Sequence, residues 1–174
     1  MTINRFEPSG VAEVSIRNDN TLVFTRDLEH PLERVWAALT DRKELKQWAP
    51  FNADRDLGEA GEATLTMADA GGATGDDVHA VVHRAEAPTL LEYTWGPDLL
   101  RWELVPIANG TRLTLHHTVE DRTWVSKIAA GWHICIDVMD HLLEGKPVGR
   151  VVSTDAMEHG WEKLNDLYGK QLGV

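Results

Sequence analysis

Residues 99–119, LLRWELVPIANGTRLTLHHTV, contain two alternating segments around one turn. In the first segment Trp102 and Leu104 alternate with charged neighbours, and the second segment repeats the pattern. Strict alternation of apolar and polar residues is typical of a strand with one buried face. The Asn109-Gly110 pair between the segments predicts a type I′ turn, which needs a positive φ at both positions. The stretch therefore predicts an antiparallel hairpin whose apolar face covers a core.

Similar segments along the chain predict a larger antiparallel sheet. They are rich in β-branched and aromatic residues and are bounded by Gly, Pro or Asn, as strands usually are. The first two are expected to pair across a turn at Asn18–Asn20. The predicted strands are 11–16, 21–26, 53–57, 62–67, 76–85, 89–95, 99–107 and 111–119.

Helical patterns interrupt and follow the strands. A short helix that starts at Pro31 precedes a second short helix, for which Thr40 or Asp41 is the predicted cap. Apolar residues at helical spacing predict a long helix over 122–144, and a final helix is predicted over 155–170. The fold class is therefore α+β, with a curved antiparallel sheet wrapped around the long C-terminal helix and an additional terminal helix. Such a sheet often leaves a pocket beneath the helix.

Composition and charge limit the classes of function. The chain has 174 residues, with 17 Lys and Arg against 28 Asp and Glu, giving a net charge of −11. This charge argues against nucleic acid and anionic membranes as partners, because both require clustered cations. There are seven Trp but only three Phe and two Tyr, so most of these aromatic side chains are indoles.

Cysteine content and terminal sequence indicate a cytoplasmic protein. Cys135 is the single cysteine, so no intramolecular disulfide forms, which suits a reducing compartment. Residues 1–10 have the character of a leader without the apolar region of a secretory signal. No apolar run approaches the ~20 residues that span a bilayer.

Four sequence pieces occur in an order that is familiar from a known family. They are PLERVWAALTD at 31–41, PTLLEYTW at 88–95, ELVP at 103–106 with GTRLTLHH at 110–117, and AGW at 130–132. With them, the stretch 24–143 resembles the SRPBCC or START-like superfamily of helix-grip (START/Bet v 1-like) folds. Within it, the stretch is most similar to the AHSA1-like group, named after the activator of Hsp90 ATPase. The resemblance implies a cavity for a hydrophobic or amphipathic small molecule, and the family includes binders, cyclases, dehydratases and co-chaperone domains.

Ten residues are predicted to line this cavity, because they share the inward face of the strands or the apolar stripe of the long helix. They are Tyr93, Trp95, Trp102, Leu104, Leu113, Leu115, His117, Trp132, Ile136 and Met139. Each aromatic residue is equally compatible with plain core packing. His117 is the one candidate catalytic residue, either as a polar anchor or acid/base, or as a wall histidine bonded to a neighbouring backbone group or Trp.

Other polar residues receive structural assignments. The histidine spacing predicts no metal site, and no motif predicts a cofactor. Asp137, between His133 and His141 on the long helix, is expected on a solvated helix face. The thiol of Cys135 is expected to be buried and inert. The glycine-rich segment 70–77 is predicted to be a hairpin tip near the cavity entrance.

The tryptophans divide into three predicted groups. Trp36 and Trp48 are expected to pack the two short helices onto the end of the sheet. Trp124 and Trp161 are expected in terminal packing. The remaining three, already named, belong to the predicted cavity wall.

The chain is predicted to be one START-like domain over 1–174, with a core of about 11–145 and a C-terminal extension at 146–174. The extension covers the cavity mouth or forms a homodimer contact, and both alternatives stay open. Three functions are carried forward. They are binding of a small hydrophobic or aromatic ligand, a cyclase-, hydrolase- or dehydratase-like reaction that uses His117, and a co-chaperone-like interaction module.

Overall fold

The computed structural model of the protein describes residues 9–174. Residues 1–8 of the predicted leader at 1–10 lie outside the described residues. The strands within the described range are β1 (Glu13–Arg17), β2 (Thr21–Leu28), β3 (Phe51–Ala53), β4 (Gly61–Ala68), β5 (Thr74–Glu86), β6 (Leu90–Trp95), β7 (Asp98–Ile107) and β8 (Gly110–Thr118). The helices are α1 (Leu32–Thr40), α2 (Arg42–Trp48), α3 (Val125–Leu143), α4 (Thr154–Met157) and α5 (Trp161–Leu172).

The strands form one sheet in the order β1-β2-β8-β7-β6-β5-β4-β3, with every neighbouring pair antiparallel. Helix α3 packs against β2, α2 and α5. The predicted α+β helix-grip architecture is therefore confirmed, with the long helix on the sheet and further helices after it.

Several element boundaries differ from the sequence expectations. The strand predicted at 53–57 is instead β3, Phe51–Ala53. The predicted terminal helix divides into α4 and α5, because Gly160 adopts a left-handed conformation with φ of 88° at the start of α5. The long helix begins with a 3₁₀ turn, in which the Asp121 carboxylate accepts from the backbone N–H of Thr123. Asp41, one of the two predicted caps, caps α2 by accepting from Lys43 N and Glu44 N.

The hairpin of β7 and β8 forms as predicted, but its turn is of another kind. Ile107 pairs with Gly110, so Ala108 and Asn109 are the two turn residues. Among the described residues, the non-glycine positions with positive φ are Asn18, Asp19 and Ser153. The type I′ prediction, which required a positive φ at Asn109, is therefore wrong.

Gly110 is required for a different reason, which is close packing against the chain that leaves β2. Its φ is 153°, and a Cβ atom there would lie 2.1 Å from the carbonyl oxygen of Leu28. Thr111 reinforces the approach, because its hydroxyl donates to the carbonyl of His30 at 2.8 Å. The glycine therefore lets the backbone at the end of β2 lie directly against the start of β8.

We expect Gly110→Ala to lower the free energy of unfolding by about 3 kcal/mol or more, because the added methyl group overlaps a backbone oxygen. Gly145→Ala is the matched control, since Gly145 also has a positive φ but has no neighbour within 4 Å. That control is expected to cost only about 1 kcal/mol. Urea denaturation of both variants checks the prediction, and equal costs would contradict it.

Candidate functional site

A cavity of about 430 Å³ lies between the sheet, α3 and the C-terminal extension. The sheet contributes Trp95 and His117. The other lining residues are Pro50, Ile128, Gly131, Trp132, Cys135, Val151, Val152, Ser153, Thr154, Ala156, Met157 and Trp161. The volume is within the usual range for small-molecule sites, roughly 300–1,000 Å³. The wall is almost entirely apolar, so the cavity suits a molecule with a large apolar surface.

Gly131 helps to keep the cavity open. It lies inside α3, where glycine is less favourable than alanine by about 0.5–1 kcal/mol. A Cβ atom at this position would have no neighbour within 4 Å, and the residue lines the cavity. The helix therefore gives up local stability at a point where a larger side chain would enter the empty space.

His117 is a buried titratable group of the wall, with 1% of its surface exposed. Its Nδ1 accepts a hydrogen bond from the indole Nε1–H of Trp132 at 2.9 Å. An indole nitrogen only donates, so Nδ1 carries no proton and Nε2 carries it. The Nε2–H then donates to the carboxylate of Asp98 at 2.7 Å.

These bonds define what His117 can do chemically. Both ring nitrogens are engaged, so the imidazole neither takes nor gives a proton to a ligand while Trp132 and Asp98 hold it. The ring is fixed in one tautomer and orientation, and it contacts the rings of Trp95 and Trp132 at 6.0 and 6.1 Å between centroids. This arrangement corresponds to one sequence alternative for His117, the wall histidine bonded to a Trp.

Of the ten predicted lining residues, Trp95, His117 and Trp132 line the cavity. The structure places the other seven in the buried core: Tyr93, Trp102, Leu104, Leu113, Leu115, Ile136 and Met139. Trp132 joins the two regions, because it lines the cavity and its ring packs edge-on against the buried Trp102, with 5.2 Å between ring centroids. Behind that contact, the Trp102 Nε1–H donates to the hydroxyl of Tyr93 at 3.2 Å, and burial raises the pKa of Tyr93.

The remaining tryptophans depart in part from their expected roles. Trp48 extends the aromatic core, with its ring 6.1 Å from Trp102 and its Nε1–H bonded to the carbonyl of Ala38 at 2.9 Å. Trp161 lines the cavity from α5. Trp124 is not packed at a terminus. It is 54% exposed, with the ammonium of Lys127 4.4 Å from its ring.

The C-terminal extension supplies wall residues that the sequence did not indicate. Val151, Val152, Ala156 and Met157 lie in an irregular segment and a one-turn helix, where no periodic pattern marks an inward face. The extension contacts the predicted glycine-rich tip, since Gly71 N–H donates to the Asp155 carboxylate at 3.2 Å. In the sequence, only the apolar character of the segment indicated that these residues could line a cavity.

Asp137 is not on a solvated helix face, as the sequence predicted, but is 3% exposed. Its carboxylate forms an ion pair with Arg26 and accepts from the backbone N–H of Ser9 at 2.7 Å. The prediction was wrong because β2 and the segment before β1 cover this side of α3. A pattern within one helix does not reveal such polar partners.

His133 lies beside Asp137 in the same buried network. Its Nδ1 accepts from the hydroxyl of Tyr168 at 2.6 Å, because the proton of the neutral ring is on Nε2, which faces a carbonyl oxygen. The same hydroxyl accepts from Ala12 N–H at 2.8 Å. The imidazole Nε2–H donates to the carbonyl of Ser9 at 3.0 Å. Burial, together with the neighbouring Arg26 guanidinium, lowers the pKa of His133 to about 4. The imidazole is therefore neutral at physiological pH and ties α3 to α5 and to the N-terminal segment.

This network predicts acid sensitivity. The pKa of His133 is about 4 in the folded state and about 6.5 when unfolded. Its contribution to stability is therefore complete above pH 6.5 and is lost as the pH falls toward 4. We expect His133→Gln to reduce the slope of unfolding free energy against pH in this window, by at most about 1.4 kcal/mol per pH unit.

The matched control is His79→Gln, at a residue exposed on β5, which should leave the slope unchanged. An unchanged slope in His133→Gln, measured by urea denaturation from pH 7 to 4.5, would contradict the assignment.

One group of potential metal ligands occurs within residues 9–174. One donor atom each from His30, Asp140 and Glu144 lies within 4.8 Å of the others. His30 Nε2 is already 2.6 Å from the Asp140 carboxylate, and Arg26 lies 4.0 Å from the second oxygen of Asp140. These contacts account for His30 and Asp140 as part of an ion-pair network.

Comparisons with known proteins agree with the geometry. The family described as "Activator of Hsp90 ATPase homolog 1-like protein" matches residues 29–144. No curated protein matches the chain in sequence. In the part of the chain described by the structure, no helix is both long and apolar enough to cross a bilayer.

Several solved structures have the same fold. A protein from Rhodobacter sphaeroides has a TM-score of 0.66 at 20% identity and covers 76% of this chain and 97% of its own. An AHSA1-like protein from Aeromonas hydrophila has a TM-score of 0.62 at 22% identity, with coverages of 72% and 92%. CalU16 from Micromonospora echinospora has a TM-score of 0.68 at 16% identity and covers 94% of both chains. At these identities the likeness shows the fold alone.

Proposed function

The chain belongs to the activator of Hsp90 ATPase homolog 1-like family, and from this premise we propose that it binds a hydrophobic or amphipathic small molecule in the cavity beneath the C-terminal extension. The observation that supports the proposal most is the cavity itself, about 430 Å³ with apolar walls from the sheet, α3 and the extension. An apolar ligand gains roughly 25 cal/mol for each Å² of its surface removed from water, before the costs of ordering.

The aromatic wall favours a flat or flexible apolar ligand. Trp95 and Trp132 lie 6.0 Å apart between ring centroids and meet at 65°. Edge-to-face aromatic contacts of this kind hold rings in fixed positions and favour further aromatic neighbours. Because the rings also contact core residues, a ligand meets a surface that is already ordered and loses little affinity to side-chain ordering.

A catalytic function is the second candidate, supported by the His117–Asp98 pair on the cavity wall. A carboxylate that accepts from an imidazole N–H is a common arrangement for a general base. For this role the other nitrogen must face the substrate, and the Trp132 indole occupies it. Catalysis therefore requires the ligand to displace that indole N–H, whereas binding requires no rearrangement. A co-chaperone-like interaction has no specific contact in its favour.

The position of Gly131 gives a direct test of the binding proposal. Gly131→Leu places a branched side chain in the cavity, so it should weaken binding of the neutral fluorescent probe N-phenyl-1-naphthylamine at least tenfold. Gly131→Ala is the matched control and adds one methyl group to open space. It should retain binding and raise the free energy of unfolding by about 0.5–1 kcal/mol.

Probe fluorescence titration and urea denaturation measure the two effects. If Gly131→Leu is folded and binds the probe as tightly as the unaltered protein, the cavity is not the binding site. Native mass spectrometry of the purified protein, followed by identification of any released molecule, then tests for a natural ligand. Conversion of such a molecule by the protein, lost in His117→Gln, would favour the catalytic alternative.

A further inference from the structure

We propose that the ligand of this cavity is an organic monoanion, an apolar molecule whose carboxylate lies toward Arg150; the inference rests on the ligand-binding function proposed above. Arg150 immediately precedes the cavity-lining segment of the extension. In the described structure, its positive charge has no negative partner, although it lies beside an apolar cavity.

All hydrogen bonds of the Arg150 guanidinium go to neutral oxygens. One terminal nitrogen donates to the side-chain oxygen of Asn52 at 2.7 Å. The other donates to the backbone carbonyls of Leu45 and Phe51 at 3.0 and 3.1 Å. The third nitrogen, Nε, is buried and has no hydrogen-bond partner. Within residues 9–174, no carboxylate lies within 4.0 Å of this guanidinium.

Arg26 shows how the same fold treats another partly buried guanidinium. It is paired with Asp137 and lies 4.0 Å from Asp140. Buried charges are normally paired in this way, and an unsatisfied buried donor requires an explanation. An anionic ligand near Arg150 would balance its charge.

The guanidinium lies next to one end of the cavity wall. Val151, the next residue, lines the cavity, and so does Pro50, which precedes the Phe51 carbonyl that Arg150 contacts. A third wall residue, Cys135, is near enough to Arg150 for the guanidinium to act on the pKa of its thiol, in the lowering direction. A carboxylate at the end formed by Pro50, Cys135 and Val151 would therefore be close to the unpaired charge.

Cys135 does not itself supply the negative charge. Burial raises the pKa of its thiol to about 12, which outweighs the opposite effect of Arg150. The thiol is therefore neutral at physiological pH and does not balance the positive charge of Arg150.

The balance of charge defines the ligand class. One unbalanced positive charge near the cavity matches one carboxylate group. A second negative charge would be buried among apolar residues without a partner, which is unfavourable. In such surroundings the attraction between Arg150 and a carboxylate is stronger than it is in water. The remaining wall then accommodates the apolar body of the molecule.

Displacement of N-phenyl-1-naphthylamine by three ligands of equal chain length tests the inference at pH 7.5. The ligands are decanoate, decanol and decylammonium. Decanoate should displace the probe at a concentration at least tenfold lower than decanol, and decylammonium should be the weakest. Decanol is the less water-soluble of the first two, so a preference for decanoate reports charge recognition.

Substitutions at Arg150 test whether this residue causes the preference for decanoate over decanol. Arg150→Met should remove at least tenfold of the preference for decanoate and leave decanol unchanged, whereas Arg150→Lys should retain part of it. Arg84→Met, at an exposed arginine on β5, changes the net charge equally and should retain the preference.

The outcomes separate this inference from the proposed function. Equal displacement by decanoate and decanol in the unaltered protein overturns the inference but leaves cavity binding intact. Failure of the probe itself to bind would remove the proposed function first. If Arg150→Met does not fold, the decanoate-to-decanol ratio in the unaltered protein and in Arg150→Lys decides the result, and loss of preference in Arg84→Met would also overturn it.

Discussion

The contact of Trp132 with the sheet determines how α3 is seated and therefore where the cavity lies. Its ring packs edge-on against Trp102 at 5.2 Å, and its indole N–H bonds to His117 at 2.9 Å. The contact with Trp102 fills the space between α3 and the sheet. The bond to His117 fixes the imidazole at the border between this packed region and the cavity. Next to Trp132, Gly131 has no side chain, and the space beside this position of α3 is empty. Trp132 thus lies between the packed core and the cavity.

The next residue, His133, anchors the opposite side of the same helix. Its neutral imidazole joins Tyr168 of α5 to Ser9, and Asp137 one turn later balances the charge of Arg26. Because these groups are buried and mutually satisfied, removing one partner leaves the others unpaired at considerable cost. The helix is therefore held by an aromatic contact on one face and a polar network on the other.

Sequence patterns predicted the fold more completely than the site. Alternation in β7 and β8 and the apolar stripe of α3 report burial within one element, and the hairpin and long helix followed from them. The site depends on contacts between elements that are distant in the chain. The distance between Trp102 and Trp132 decides which inward residues meet the cavity, and the extension after Leu143 supplies much of the wall. Asp137 was misassigned for the same reason, since its partner Arg26 is 111 residues away.

The net charge of −11 and the unpaired Arg150 act over different distances. Exposed charges are screened within about 8–10 Å at physiological ionic strength, so the acidic surface mainly slows the approach of an anion. Inside the cavity, apolar walls replace water, and the interaction with a nearby guanidinium is screened much less. For the proposed monoanion, affinity therefore follows the local charge at the Pro50 and Val151 end, while the association rate follows the acidic surface.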